Sequence, residues 1–272
     1  MSGGDLVGQS ALYLAAYLVT GLVAGVMAGL LGVGGGVVIV PVLIFLFAYQ
    51  GFPPEWIPHL AVGTSLATII GTGAASVHAH HRRGAVRWDL VRALAPGIVV
   101  GAWLGAAIAG LLPEVWLKRV FALFLLFVGL RMLARRTAAA AGRLPGGARL
   151  FAAGTGIGTL SALVGIGGGT LTVPLLGRGG VDLRQAVATS SACGVPLALA
   201  GALGFIVVGW ARAGLPPATT GFVYWPAVVA ILLASVPAAP LGAHLAHTLP
   251  VALIRRLFGA LLLLVGLRLL LG

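Results

Sequence analysis

The chain has 272 residues, and only 8% of them are charged, against roughly a quarter in a soluble globular domain. Apolar residues make up 60%, and the mean hydropathy is +1.10. That leaves too few polar groups to cover a soluble surface, so the composition is that of an integral membrane protein. The net charge of +12 does not point to nucleic acid. The bases lie in short tracts between apolar runs, as in cytoplasmic loops, with no aromatic-basic face. The expected surroundings are therefore a lipid bilayer, with no nucleic-acid partner. A single cysteine, Cys193, excludes an internal disulfide, a CxxC redox pair and a thiolate metal site.

The first ten residues hold Asp5 and no base, unlike the basic start of a cleaved leader. The first apolar run is accordingly read as a permanent span. A spanning helix needs about 20 mostly apolar residues. Segments of that kind are expected near 11–31, 36–50, 59–80, 90–112 and 116–134. A second set follows near 150–165, 169–177, 185–209, 224–246 and 251–271. The second member of each set is short and carries a proline, Pro41 or Pro174, which predicts a partial helix.

The two sets are copies of one another. GLVAGVMAGLLGVGGGVVIVP at 21–41 and GTGIGTLSALVGIGGGTLTVP at 154–174 share nine identities in 21, at an offset of 133. AVGTS at 61–65 matches AVATS at 186–190, at an offset of 125. The stretch 112–131 matches 249–268 with ten identities in 20, at an offset of 137. The offset changes only between matched blocks, which marks a duplication. Five segments per half is an odd number, so tandem halves that cross at every segment have opposite orientation. With the loop holding Arg82, Arg83, Arg87 and Arg92 inside, 13 of the 17 bases fall inside. Parallel halves would put only 11 inside, so the positive-inside rule favours inversion. The expected fold is an all-α integral membrane protein with two inverted repeats of about five helical segments each. A short broken helix follows each glycine-rich turn. Repeat 1 covers 1–140 and repeat 2 covers 141–272, within one membrane domain.

GVGGG at 32–36 and GIGGG at 165–169 carry the strongest functional signal. Glycine runs let the backbone turn sharply and approach a ligand. The unpaired N–H groups and positive dipole end of the following helix then favour an anion. Gly34, Gly35, Gly36, Gly167, Gly168 and Gly169 are the candidate backbone donors. The spaced glycines, Gly21, Gly25 and Gly29 with Gly154 and Gly158, read instead as helix-packing stripes. Hydroxyls recur at matched places: Thr64, Ser65 and Thr68 in one half, Thr189, Ser190 and Ser191 in the other. Bonding to the hydroxyl's own helix competes with a ligand-facing role at these positions. Thr64, Ser65, Thr189, Ser190 and Ser191 complete the candidate substrate shell, with Cys193 one turn after Thr189. No Asp or Glu falls inside a span, which disfavours cation or proton relays. His78, His80 and His81 are expected at the membrane interface, and His244 and His247 lie near another span end. The histidines have no carboxylate or cysteine companions, so no metal is expected. No GxSxG, HExxH or paired-aspartate pattern occurs, so neither an enzyme nor a cofactor is expected.

The doubled GxGGGxxxxP motif, the AVxTS run one segment later and RRGAVRWDL after the third segment resemble the sulfite exporter TauE/SafE family. The resemblance covers nearly the whole chain, with AVATS in place of AVGTS in the second half. It implies a permease of the bacterial inner membrane for small sulfur oxyanions and organosulfonates, such as sulfite or sulfoacetate. The expected function is secondary transport of such an anion by alternating access. The alternative is an anion channel, or a membrane assembly factor with no carried substrate.

Overall fold

The computed structural model describes residues 3–271 apart from 33, 135–141, 143, 145 and 249–250. For 3–8, 246–248 and 251–255 it describes the backbone alone. The described residues form α1 (Gly3–Leu31), α2 (Gly36–Tyr49), α3 (Ile57–His81), α4 (Trp88–Leu111) and α5 (Glu114–Leu133). The second set is α6 (Gly147–Val164), α7 (Gly169–Arg178), α8 (Leu183–Gly209), α9 (Trp225–Thr248) and α10 (Val251–Leu271). Each expected segment corresponds to one helix. The largest difference is at α1, which begins at Gly3 because helix geometry continues through residues too polar to read as membrane span.

Among the described residues, six helices are long and apolar enough to cross a membrane: α1, α3 with its preceding 3-10 turn Pro54–Trp56, α4, α6, α8 and α9. The chain is therefore a multi-pass, all-α membrane protein. The 14 residues of α2 and the 10 of α7 rise only about 21 and 15 Å, short of a hydrocarbon core of about 30 Å. Both start inside the protein, at the glycine breaks.

The two sets interleave rather than forming separate bodies. α1 packs on α9 and α4 on α6, while α3 lies against α8 and α5 against α10. Small residues make the first two pairings close. A Cβ on Gly21, Gly25 or Gly29 would run into the carbonyls of Ile231, Ser235 or Ala239. Equivalent additions at Gly97, Gly101 and Gly105 would meet the carbonyls of Phe151, Thr155 and Thr159. The rising numbers on both sides mean that α1 runs parallel to α9, and α4 parallel to α6. The other two pairings run the opposite way. Gly201 meets Leu66, Gly73 meets Val195 and Ser76 meets Ser191, so α3 and α8 are antiparallel. Gly266 faces Ala122 while Gly129 faces Gly259, so α5 and α10 are antiparallel too.

A small hairpin, β1 (Thr219–Thr220) and β2 (Val223–Tyr224), precedes α9 and was not legible as a strand pair in so short a stretch. Its Gly221 takes φ 54°. The histidine expectation needs one correction. His78 and His81 are exposed, but His80 is fully buried, with Nε2 3.1 Å from the Gly29 carbonyl oxygen. One residue in a helical end faces inward while its neighbours face out, a distinction three adjacent histidines do not reveal. The side chain of His247 lies outside the described residues.

Candidate functional site

The glycine runs are sharp turns. Gly35 and Gly168, the residues before α2 and α7, take φ 79° and 76°. Gly32 and Gly165, where the preceding helices end, take 68° and 71°. L-residues avoid this left-handed region and glycine does not. The two turns, far apart in sequence, meet at the middle of the molecule. A Cβ on Gly34 would lie 3.1 Å from the Cα of Gly167. One on Gly36 would strike the Gly165 carbonyl and lie 3.0 Å from the Cα of Ile166. Such contact is possible only because both strands of backbone are bare.

The serine and threonine hydroxyls stitch these turns together in matched pairs. Ser65 Oγ donates to the Gly165 carbonyl at 2.8 Å, and Ser190 Oγ donates to the Gly32 carbonyl at 2.9 Å. Each serine thus holds the break of the opposite half. Thr64 Oγ1 accepts the Tyr224 N–H at 3.0 Å, and Thr189 Oγ1 accepts the Arg87 N–H at 3.1 Å. These two bonds pin the chain just before α9 and just before α4. All four hydroxyls are fully buried.

Between the turns lies a narrow crevice with about 190 Å³ of empty space, divided too finely to hold a water molecule. Gly34 and Gly167 form its middle, with Ala28 from α1, Ile69, Gly73 and Ser76 from α3, and Ser191 and Gly194 from α8. Every lining residue is buried. Ser76 Oγ donates to Ser191 Oγ over 3.4 Å, and Ser191 Oγ donates to the Val187 carbonyl at 3.2 Å. The lining carries no charged side chain. The polar groups available at the turns are these hydroxyls and the first backbone N–H groups of α2 and α7. Hydrogen bonding within those helices begins at Val38 and Ile39, and at Leu171 and Thr172. Among the described residues, the N–H groups of Gly36, Val37, Gly169 and Thr170 therefore have no backbone partner.

The profile of the family described as sulfite exporter TauE/SafE matches residues 17–269. The chain belongs to the TauE/SafE family. A probable membrane transporter protein of Haemophilus influenzae is 34% identical over 239 residues, covering 87% of this chain and 90% of its own. A probable membrane transporter protein of Xylella fastidiosa is 29% identical over 245 residues, covering 87% of each. One of Methanocaldococcus jannaschii is 27% identical over 214 residues, covering 78% of this chain and 76% of its own. No solved structure matches.

Of the residues singled out in this TauE/SafE sequence, Gly34, Gly167 and Ser191 line the crevice directly. Gly35, Gly36, Gly168 and Gly169 form the adjoining turns and helix starts. Thr64, Ser65, Thr189 and Ser190 surround the turns and bond to backbone. Cys193 is buried on α8 within the apolar core and is not among the residues that line the crevice. Ala28, Ile69, Gly73, Ser76 and Gly194 were missed. The signal for Ser76 was the spacing Thr68, Thr72, Ser76, which puts three hydroxyls along one face of α3. Thr68 and Thr72 bond back to the carbonyls of Ser65 and Thr68, and Thr72 also meets Ser235 at 2.6 Å. Ser76, at the end of that row, reaches the crevice.

Proposed function

We propose that this chain is a secondary transporter that moves a small sulfur-containing anion across the bacterial inner membrane by alternating access. Sulfite, thiosulfate and organosulfonates such as sulfoacetate are the substrate class. The observation that carries the reading is the meeting of two glycine turns, each opening a short helix whose first N–H groups lack backbone partners. A sulfite or sulfonate head has three acceptor oxygens and negative charge. Converging helix starts supply donors and positive dipole ends without a buried base. Ser76 and Ser191 add hydroxyls at one side. Ser65 and Ser190, bonded to the break of the opposite half, shape the turns, while Thr64 and Thr189 anchor the segments entering α9 and α4.

Inverted repeats support the same reading. α3 and α8 are repeat mates and antiparallel, as are α5 and α10. Pairing of α1 with α9 is matched by pairing of α6 with α4, which exchange of the two halves requires. Discontinuous helices at the junction of inverted repeats are the usual place for a transported ion. The base distribution puts the loop after α3 and the linker before α6 in the cytoplasm, with both chain ends outside. A crevice with only buried lining suits a carrier caught between openings better than an open pore.

Uptake of labelled sulfite, thiosulfate and sulfoacetate into proteoliposomes tests the function. Saturable uptake of at least one is expected. Flux that rises without saturation would indicate a channel, and no flux for any of the three would remove the transport reading.

A further inference from the structure

The crevice is lopsided about the two turns. Four lining residues form repeat-related pairs: Gly34 with Gly167, and Ile69 with Gly194. The other four, Ala28, Gly73, Ser76 and Ser191, lie toward the end where α3 finishes and α8 begins. The Gly29 carbonyl next to Ala28 meets His80 in the last turn of α3, which fixes that level. Applying the offsets of 133 and 125 residues, their repeat mates are Ser161, Ala198, Gly201 and Leu66. These mates cluster toward the opposite end, where Gly165 sits against Val62 near the start of α3 and Gly201 against Leu66. All four are buried.

Ser161 stands out among them. It is fully buried, and its Oγ has no hydrogen-bond partner. The hydroxyl lies 3.6 Å from where a Cβ on Gly168 would sit, so it is directed at the second glycine turn. Unsatisfied buried hydroxyls lower stability and call for an explanation. Helix packing gives none, because the repeat mate Ala28 packs without a hydroxyl. Ala28 does line the crevice.

We propose that a second arrangement exists in which the two halves exchange conformations, and that Ser161 is a substrate-binding hydroxyl in it. Exchange closes the crevice at Ala28 and Ser76 and opens its counterpart beside Leu66, Ser161, Ala198 and Gly201. The middle of the site, Gly34 and Gly167, is common to both. Ser161 lacks a partner here because its partner, an anionic oxygen, arrives when the other side opens. The inference rests on the transporter reading above.

The test uses Ala28→Cys and Ser161→Cys in the full-length protein, with the parent chain, whose Cys193 is buried, as background. Right-side-out and inverted vesicles are treated with a membrane-impermeant methanethiosulfonate, with and without sulfoacetate as the probe ligand. The two variants are expected to react from opposite faces, each more slowly when sulfoacetate is present. Reaction from the same face, or no reaction at Ser161→Cys while that variant still carries sulfoacetate, overturns the second crevice and leaves the transporter reading standing. Absence of saturable uptake by the parent chain for sulfite, thiosulfate and sulfoacetate alike removes both. Ser161→Ala supplies an independent readout. It should keep its melting temperature, since no hydrogen bond is lost, while sulfoacetate affinity falls by about tenfold, the loss of one charged hydrogen bond. Unchanged affinity would overturn the donor role.

Discussion

The turn at 32–36 and its repeat mate at 165–169 match at their outer glycines and differ between them, where Gly34 takes φ 76° and Gly167 is not left-handed, and in what surrounds them. Both have left-handed glycines at the helix end and at the residue before the next helix. Around the first, the side chains are Ala28, Val37 and Ile39; around the second, the same positions hold Ser161, Thr170 and Thr172. The buried hydroxyls of all three have no partner. The helices differ as well: α2 runs 14 residues and packs on α1 and α3, whereas α7 runs 10 and packs chiefly on α8. The two turns correspond in sequence. Apolar side chains surround the first, and unsatisfied polar groups gather at the second. On the proposed transport reading, both helix starts donate N–H groups and the second break adds the unpaired hydroxyls.

Substitution of the glycines should break this comparison most visibly. A Cβ on Gly35 would lie 2.8 Å from the Ala24 carbonyl, a backbone atom that cannot turn aside, whereas one on Gly168 would first meet Leu197 Cδ1 at 3.1 Å. Both positions carry the left-handed penalty of about 1–2 kcal/mol, and Gly35 adds the backbone collision. Gly35→Ala should lose about 2–4 kcal/mol and Gly168→Ala about 1–2 kcal/mol in reversible unfolding in detergent. Equal losses would mean that the two breaks are equally rigid.

The bonded serines come next. Ser65→Ala and Ser190→Ala each remove a donor from a carbonyl of the opposite break. Each should cost about 1–2 kcal/mol, and by similar amounts, because the two bonds are symmetric copies. A loss at one and none at the other would show that only one break depends on its stitch. Thr172→Val should have the smallest effect. It retains shape, discards a hydroxyl with no partner and restores the apolar character of Ile39, so stability should hold or rise by up to about 1 kcal/mol. A clear loss of stability would reveal a role for that hydroxyl within the resting fold.

Much of the architecture was legible because membrane helices announce themselves by length and because the chain repeats. Glycines four apart on the first segment predicted the close approach of α1, although its partner, α9, could not be read from one stretch of sequence. The turns at Gly34–Gly36 and Gly167–Gly169 were legible for a physical reason: three adjacent glycines suit a sharp change of direction far better than a continuous helix. The hydroxyls were harder. Ser65 and Ser190 bond to carbonyls 100 and 158 residues away, and no local pattern separates that use from a ligand contact or a bond to the same helix. Ser161 was passed over because a serine between apolar residues resembles ordinary helix packing. Its meaning emerges only when its burial, its missing partner and its repeat mate Ala28 are read together.

The central claim, that the two breaks form one anion site, is tested most directly by selective 15N-glycine labelling and sulfoacetate titration. The backbone amides of Gly36 and Gly169 should both shift, along a single saturation curve, and an uncharged sulfone of matched size should move neither. Movement of only one amide, or equal movement with the sulfone, would contradict a shared oxyanion site.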